Sequence, residues 1–342
     1  MRPSLLRQTI LSRIDLEIRQ GRKVRPSYLT GPPGVGKTQL LQQIAQDLGI
    51  YGHVIHAPLM LNEDFGMPFP RDGSVEFLTP EHKFPFADSD VFPDHGLLIV
   101  DEASQLTPDQ QKIWANVFQE RELHGRKLKP GWAIAATGNR MQDRAGAGRL
   151  LSHFNDRFTT FAYDASLDDW ADWAQRGGKV KPVIVGFLRF RPDLFSAHDP
   201  DKEKSPTPRA WTEGVNVSLD CTPDPALFDA ICGDVGEGAA AEFTAFLRTY
   251  RDLPDPELVI ARPDDHAVPA EMSVRYALAS ALAHHANETN FGNVLRFAQR
   301  MDPEFTVLIV RDALRLRPEI EETRAYVDWA IGPGHKLLFD RS

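Results

Sequence analysis

One eight-residue stretch constrains this chain more than any other, and it reads Gly-Pro-Pro-Gly-Val-Gly-Lys-Thr at residues 31–38. It has the spacing G-x-x-x-x-G-K-[ST]. Residues 28–30 before it predict a short strand, and residues 39–48 after it predict a helix. Glycines allow backbone N–H groups to turn inward around an anion, and the following helix points its positive N-terminal end at the same place. The stretch therefore predicts a phosphate-binding loop, and a Gly/Pro-rich turn without a ligand is the alternative.

Two side chains of this loop have predicted chemical roles. In a loop of this type the lysine reaches the β- and γ-phosphates of a nucleoside triphosphate, and the last hydroxyl binds Mg²⁺. Lys37 and Thr38 occupy those two positions. The residues expected to contact the nucleotide are Gly31, Pro32, Pro33, Gly34, Val35, Gly36, Lys37, Thr38 and Gln39.

A second landmark is the run Leu-Leu-Ile-Val-Asp-Glu at residues 97–102. Its four apolar residues predict a buried parallel strand, with Asp101 and Glu102 at the C-terminal end. Ligands of open α/β sheets bind at that end. Asp101 could hold Mg²⁺ directly or through water, and Glu102 could orient or deprotonate an attacking water. Carboxylates at strand ends are common, so this prediction depends on the phosphate loop upstream.

Further candidates follow the next predicted strand, at residues 132–137. Asn139 would emerge at the same sheet edge, where its amide can hydrogen-bond a γ-phosphate or the attacking water; a simple turn is the alternative. The Gly- and Arg-rich loop 140–156 contains Arg149 and leads to Arg157. Such an arginine can form a surface ion pair, or it can neutralise charge on the γ-phosphate held by a neighbouring subunit.

Residues 58–95 are rich in proline, glycine, phenylalanine and acidic residues, with Asp72-Gly73 as a turn signal. They predict either a projecting hairpin or loop, with Phe65, Met67 and Phe69 as contact residues, or an insertion packed on its own domain.

Just before this segment, residues 53–57 predict a strand. Its two histidines, His53 and His56, lack a metal-ligand pattern and are expected on alternate faces.

From residue 166 onward the pattern is helical. One predicted helix begins with Thr207 as its N-cap and Pro208 in its first turn, so Arg209 would face outward from that turn. A Pro/Asp-rich connection at residues 253–269 is the best candidate for a boundary, and residues 270–337 return to helix.

Composition limits the partners and the compartment. The chain has 342 residues, of which 42% are hydrophobic, and its length suggests about two domains with proper cores. Its net charge of −9 argues against broad nucleic-acid binding, which favours a basic face. Residues 121–129 could form a local basic stripe that binds nucleic acid, and a solvated hairpin is the alternative interpretation of the same residues.

Cysteine usage and hydropathy point to the cell interior. Cys221 and Cys232 form no C-x-x-C pair, which favours a reducing compartment over a disulfide framework or a zinc site. No apolar run reaches membrane-spanning length, so we expect a cytoplasmic protein without a membrane partner.

Residues 31–38, 97–102, 139, 155–158 and 205–211 together resemble the AAA+ ATPases and look closest to their MoxR-like branch, in the dynein-related group. The resemblance covers roughly residues 4–250. It implies ATP and Mg²⁺ as cofactors, a Walker A loop at residues 31–38, and a Walker B strand with Asp101 and Glu102. It also implies that Asn139 is sensor 1, Arg157 the arginine finger and Arg209 sensor 2.

The resemblance further implies an α/β fold: a P-loop parallel sheet, the AAA+ core, followed by an all-helical lid and a helical C-terminal extension. The corresponding domains are residues 1–165, 166–252 and 253–342. Such proteins are generally hexameric rings, and MoxR-like members often act as chaperone-like remodellers beside a von Willebrand factor A domain protein. Residues 58–95 and 121–129 fall where this branch carries inserts facing the ring's pore or surface.

Two functions follow as hypotheses. The first is an ATP-hydrolysing motor that assembles with copies of itself and remodels a partner protein. The second is a nucleotide-gated module of a phage or DNA-processing assembly that grips nucleic acid or a partner, which the acidic net charge makes the less expected one. The Asn-Lys-x-Asp motif of small GTPases is absent, which favours ATP over GTP.

Overall fold

A computed structural model describes residues 3–143, 148, 150–176 and 179–335. Arg149, the second candidate for an arginine finger, lies outside the described residues. Contacts within the chain separate two units, Met1–Ala165 and Ser166–Ser342. Each unit is described by itself.

The first unit contains all the described strands. They are β1 (Ser27–Thr30), β2 (Tyr51–His56), β3 (Met67–Arg71), β4 (Ser74–Leu78), β5 (Gly96–Asp101), β6 (Glu122–Leu123), β7 (Arg126–Lys127), β8 (Trp132–Gly138) and β9 (Thr159–Ala162). Its α-helices are α1 (Pro3–Gln20), α2 (Lys37–Leu48), α3 (Pro108–Glu120) and α4 (Ser152–Asn155).

Five of these strands form one parallel sheet in the order β2-β5-β8-β1-β9. Since all five run the same way, their C-terminal ends meet at one edge, here called the carboxyl edge, and their N-terminal ends at the opposite amino edge. The register aligns Thr30 with Gly138 on one side and with Ala162 on the other. It also aligns His56 with Asp101. The carboxyl edge therefore brings together residues that are far apart in the sequence.

Helices cover both faces of the sheet, because side chains alternate between the faces along each strand. Leu97 and Ile99 of β5 pack with α1 and α2, whereas Leu98 and Val100 pack with α3. Each such buried aliphatic side chain contributes about 1.5–3 kcal/mol relative to an exposed one. A strand that is apolar at every position is stable only in this doubly covered layer, as the sequence of β5 predicted.

Two β-hairpins extend the first unit beyond the sheet. Strands β3 and β4 pair around Asp72 and Gly73, whose φ angles of 47° and 81° suit a tight two-residue turn. Strands β6 and β7 pair around a second such turn. The Phe77 ring of the first hairpin stacks on the His124 ring of the second, with centroids 4.0 Å apart.

The candidate contact residues of this segment differ in exposure. Met67 and Phe69 are exposed on the hairpin, whereas Phe84, Phe86 and Phe92 later in the segment are buried in the core, so each of the two alternatives describes part of residues 58–95. Phe65, in contrast, is 1% exposed and packs against the rings of Phe84 and Trp114 in the core. The prediction that Phe65 is a surface contact is wrong, because the chain turns outward only after this residue.

The described part of the second unit is helical. Its α-helices are α5 (Leu167–Gln175), α6 (Pro182–Phe190), α7 (Asn216–Cys221), α8 (Asp224–Val235), α9 (Glu237–Arg251), α10 (Pro256–Ala261), α11 (Met272–His285), α12 (Phe291–Ala298), α13 (Pro303–Leu316) and α14 (Arg324–Ile331). A π-helical segment, Ala210–Val215, leads directly into α7.

The predicted fold class is confirmed: a parallel α/β sheet that carries the phosphate loop is followed by a helical part. Helix α10 lies within the predicted connection at residues 253–269, and its Val259 and Ile260 are buried in one cluster with α11 and α12. The division into domains 1–165, 166–252 and 253–342 stays a prediction. Among the described residues, no helix combines the length and the apolar character that crossing a membrane requires.

Candidate functional site

The phosphate loop follows β1 and has a backbone that requires glycine. A Cβ on Gly31 would lie 2.1 Å from the backbone oxygen of Tyr163. Gly34 and Gly36 have φ angles of 71° and 93°, in the left-handed region that other residues rarely adopt. Helix α2 then begins at Lys37, so its N-terminal N–H groups lie at the loop. The glycines of the motif are thus explained by close approach and by backbone angle.

The ammonium of Lys37 connects the loop to the end of β8. Its Nζ donates to the backbone oxygens of Gly31 (3.0 Å) and Pro32 (2.8 Å) and to Oδ1 of Asn139 (2.9 Å). Lys37 is only 8% exposed. These acceptors are neutral, and a phosphate oxygen is a stronger, charged acceptor for the same donors.

The carboxylate of Asp101 lies at the end of β5, accepts hydrogen bonds from two side chains and lies near a third. Its Oδ1 accepts from the hydroxyls of Thr38 and Thr137, each at 2.5 Å. Its Oδ2 lies 3.2 Å from Nδ1 of His56. Thr38 begins the helix after the loop, and Thr137 is in β8, so three neighbouring segments converge on one carboxylate.

Glu102 follows Asp101 in an unusual backbone conformation. Its φ and ψ angles are 57° and 35°, the left-handed region, which costs a residue other than glycine roughly 1–3 kcal/mol. Its N–H donates to Thr137 Oγ1 at 3.2 Å, and its Oε2 accepts from Gln105 Nε2 at 3.0 Å. The surrounding contacts hold the backbone in this strained turn, which directs the chain out of the sheet immediately after β5.

Asn139 follows β8, and a hydrogen bond from its backbone N–H holds it in place. Its N–H donates to the hydroxyl of Ser104 at 3.0 Å. Ser104 is also hydrogen-bonded to Tyr28, whose pKa burial raises to about 12, partly offset by that hydrogen bond. At Gly138 a Cβ would lie 2.0 Å from the Tyr28 hydroxyl. Only glycine fits before Asn139, and the amide consequently points its oxygen at Lys37.

Arg157 lies at the amino edge of the sheet, between α4 and β9. Ala162 pairs with Thr30 at the carboxyl edge, and the three strand steps from Thr159 to Ala162 span about 10 Å, so Arg157, in the turn before Thr159, lies beyond the opposite end of β9. Its Nε is buried and has no hydrogen-bond partner among the described residues. The fold therefore does not bring Arg157 to the phosphate loop of its own chain.

Arg209 belongs to the second unit, in the first turn of the helix that begins at Pro208. The Thr207 hydroxyl caps that helix by accepting from the N–H of Ala210 at 3.1 Å, as the sequence predicted. The Arg209 side chain is half-exposed and lies 3.9 Å from Glu213. The helix changes to π-helical geometry directly after Arg209.

The donor set at the phosphate loop fits a Mg²⁺–nucleotide. The Thr38 hydroxyl and the Asp101 carboxylate are hard oxygen ligands, which suit Mg²⁺. Within the residues that the structure describes, no three His, Cys, Asp or Glu side chains cluster to cage a metal ion. Mg²⁺ is commonly held by one or two protein oxygens together with substrate phosphates. The residues present match that arrangement.

Sequence reasoning missed four residues that build this site: Thr137, His56, Ser104 and Gln105. The described partners of Thr137, His56 and Ser104 include residues of a different strand, whereas Gln105 contacts Glu102, three residues before it. The one available signal was position, since His56 and Thr137 lie at or near the C-terminal ends of predicted strands. That signal becomes specific only once the strand order is known.

Comparisons with known proteins find structural similarity but no significant sequence similarity. No protein-family profile matches this sequence, and no curated protein is significantly similar to it. A mutant of RuvB from Thermotoga maritima has a similar structure at a TM-score of 0.39 and 12% identity, over 97% of this chain and 88% of that one. A second RuvB mutant from that organism gives 0.40 and 14%, over 82% and 81%.

The Thermotoga maritima RuvB Holliday junction branch migration motor gives a TM-score of 0.36 and 12% identity, over 96% of this chain and 87% of that one. With TM-scores below 0.5, these similarities carry no further conclusion about this chain.

Proposed function

We propose that this protein is an ATPase of the AAA+ type, which hydrolyses ATP to ADP and phosphate with Mg²⁺. The observation that carries the proposal is the convergence at the carboxyl edge. Lys37 Nζ lies 2.9 Å from Asn139 Oδ1, and Thr38 Oγ1 lies 2.5 Å from Asp101 Oδ1. A lysine, a metal-binding pair and a neutral amide are thereby gathered where the glycine loop and a helix N-terminus favour phosphate.

Each residue then has a role in hydrolysis. The loop N–H groups and Lys37 bind the phosphates, and Thr38 and Asp101 hold Mg²⁺, which supplies charge neutralisation when bound. Glu102 activates the attacking water as a general base. Asn139, as sensor 1, would hydrogen-bond the γ-phosphate or that water.

The position of Arg157 favours a site shared between subunits. It lies before the first residue of β9, at the end of the sheet opposite the carboxyl edge, with its buried Nε unpartnered among the described residues. A cationic side chain of that kind can serve the γ-phosphate of a neighbouring copy. A homo-oligomeric ring, hexameric as the family resemblance implies, follows from this role. Arg209, as sensor 2, would couple hydrolysis to movement of the helical lid.

The work of such a ring would be the remodelling of a bound protein in a chaperone-like way, as in the MoxR-like branch. A von Willebrand factor A domain protein is the corresponding partner. Met67, Phe69 and Leu78 share one face of the β3–β4 hairpin and are exposed, which supports a protein partner because contiguous exposed apolar side chains mark interaction sites.

Mixing two inactive variants tests the shared site. Lys37→Ala removes phosphate binding, and Arg157→Ala removes the trans-acting charge, at an expected cost of roughly 10³–10⁵ in hydrolysis rate. Each variant alone should be nearly inactive. When the two variants are mixed, part of the wild-type rate should return. At some subunit interfaces, an Arg157→Ala subunit supplies an intact Lys37 and its Lys37→Ala neighbour supplies an intact Arg157.

The control is Arg157→Ala mixed with the double variant Lys37→Ala/Arg157→Ala, in which no intact Arg157 exists and no activity should return. Measurement of released phosphate against total protein concentration completes the test. The proposal is wrong if the single variants fail to complement each other, or if Arg157→Ala hydrolyses ATP as fast as the wild type.

A further inference from the structure

Gln111 is a polar residue on the buried face of α3, and it is only 1% exposed. Its Oε1 accepts a hydrogen bond from the backbone N–H of Leu151 at 2.8 Å, and its Nε2 donates to the backbone oxygen of Leu106 at 3.0 Å. Because one partner is a donor and the other an acceptor, a single orientation of the amide satisfies both. Burial of an amide is unfavourable unless such bonds are made, so these two contacts explain why a polar residue is tolerated here.

One of these contacts leads to Arg157. Leu151 is the N-cap of α4, a single turn that is too short to be stable on its own. The N–H of Phe154 donates to the Leu151 oxygen at 3.0 Å, and the N–H of Arg157 donates to the Phe154 oxygen at 3.1 Å. The Phe154 ring also packs on Phe118 of α3, with centroids 5.6 Å apart. The place of Arg157 therefore depends on how α4 is held against α3.

The other contact leads to Glu102. The N–H of Gln105 donates to the Glu102 oxygen at 2.9 Å, and Leu106 follows directly, before the N-cap of α3. The Gln111 amide thus joins the turn after the proposed general base to the helix before the proposed trans-acting arginine. In a ring these two residues would serve different sites, Glu102 that of its own chain and Arg157 that of a neighbour.

We propose that Gln111 is a positioning residue for Arg157. Its amide holds the start of α4 against the turn that follows Glu102, so that Arg157 meets the neighbouring subunit from a fixed place. The inference rests on the proposed function, because it concerns the same shared site. Loss of the amide should lower the rate of ATP hydrolysis roughly 10²-fold, as expected when a catalytic group is misplaced by about 1 Å.

The preceding residue of α3 provides a matched control. Gln110 is 7% exposed, and its side chain also makes one donor and one acceptor bond to the backbone. Its Nε2 donates to the Met60 oxygen at 2.8 Å, and its Oε1 accepts from the N–H of Thr107 at 3.0 Å. Neither partner belongs to α4. Gln111→Met and Gln110→Met should therefore lower the melting temperature by similar amounts, but only Gln111→Met should slow hydrolysis.

The experiment measures phosphate release by the full-length protein, for each variant alone and in mixtures. Gln111→Met should bind a fluorescent ADP analogue as the wild type does, because its own phosphate loop is intact. Mixed with Lys37→Ala, whose Arg157 is held correctly, it should recover activity. Mixed with Arg157→Ala it should recover none, since neither variant supplies a correctly held Arg157. A loss of stability alone would not give this dependence on the second variant.

Failures of the two proposals are distinguishable. If Lys37→Ala and Arg157→Ala do not complement each other, the shared site of the proposed function fails, and this inference fails with it. If they do, only the positioning role is wrong when Gln111→Met hydrolyses ATP at the wild-type rate, recovers with Arg157→Ala, or recovers with neither variant. It is also wrong if Gln110→Met gives the same pattern. If Gln111→Met does not fold, Gln111→Asn serves the same test, because its shorter amide cannot reach both partners.

Discussion

Each unit of the protein contains a cluster of charged side chains. In the first unit the cluster lies at the carboxyl edge of the sheet and includes Lys37 and Asp101, whose described hydrogen-bond partners are backbone oxygens, an amide and hydroxyls. In the second unit Arg189 of α6 donates through both terminal nitrogens to Asp312 of α13.

The second cluster is closed to solvent. Arg189 and Asp312 are 7% and 1% exposed in their side chains. Arg315 lies 3.3 Å from Asp312 and also pairs with Asp172 of α5, so three helices meet there. Burial lowers the pKa of the Arg189 guanidinium, and the charges of Arg311 and Arg315 act in the same direction. The bidentate contact with Asp312 is what stabilises the charged form.

The difference between the clusters lies in what a ligand could replace. Around Arg189 each charge faces an opposite charge in fixed geometry, and a ligand would have to break that pair. At the carboxyl edge the acceptors that Lys37 faces in the loop are neutral, so a phosphate would bind more strongly than they do. The charges of the second cluster are paired with one another inside the fold, whereas the contacts described for Lys37 in the loop are with neutral oxygens. Substitutions in each should separate activity from stability.

The largest effect is expected from Glu102→Gln. Removal of the general base should lower the ATP hydrolysis rate by roughly 10²–10⁴-fold. The amide keeps the size of the side chain and can still contact Gln105, so nucleotide affinity and melting temperature should stay near wild type. Phosphate release at saturating ATP and binding of a fluorescent nucleotide measure the two properties separately.

A fall in nucleotide affinity that matched the fall in rate would contradict the assignment of Glu102 to the chemical step. A large fall in melting temperature would also contradict it, because the strained turn would then depend on the carboxylate. Either result would mean that Glu102, like the charged pair around Arg189, contributes to the folded structure and not only to the chemical step.

Asp312→Ala should produce the largest loss of stability. It leaves Arg189 buried without its counter-ion, and breaking a buried pair in this way costs about 3–5 kcal/mol. Asp193→Ala is the matched control, since the Arg191–Asp193 pair is 2.8 Å long but 31% and 60% exposed. Such a pair contributes up to about 1 kcal/mol. Urea denaturation followed by circular dichroism gives both values.

Equal losses in Asp312→Ala and Asp193→Ala would show that burial does not decide the strength of these pairs. The second cluster would then contribute no more to stability than the surface does.

The sequence alone predicted what depends on local pattern. The glycine loop, the apolar β5 and the cap of the helix at Pro208 each follow from residues that are neighbours in the chain, so motif and periodicity suffice. Asp101 and Asn139 were placed at one edge because parallel strands share a direction, whichever order they take.

What was missed depends on strand order and on distant contacts. His56 reaches Asp101 only because β2 lies beside β5, and Thr137 reaches it only because β8 lies on the other side. Arg189 and Asp312 are separated by 123 residues, so no local pattern links them. Phe65 failed for a related reason: composition marked an unusual segment, but burial within it is set by the rings of Phe84 and Trp114 that close over it.

Thr137 belongs to the first cluster but is buried like the residues of the second. Of these substitutions, that of Thr137 should have the smallest effect on activity. Its hydroxyl donates to Asp101 and accepts from the N–H of Glu102, and the residue is 1% exposed. Thr137→Val keeps the shape but leaves that N–H without its acceptor, at a cost of about 1–3 kcal/mol. It should also raise the Mg²⁺ concentration needed for nucleotide binding, since Asp101 loses one of its donors.

Thr137→Ser keeps the hydroxyl and loses one methyl group, which costs about 0.8 kcal/mol. It should therefore be destabilised slightly while its Mg²⁺ requirement stays at the wild-type value. If Ser raises the Mg²⁺ requirement and Val does not, the methyl packing of Thr137 matters and its hydroxyl does not. If only Val does, the same hydroxyl that stabilises the turn at Glu102 also prepares Asp101 for the metal, and at this one residue stability and function cannot be separated.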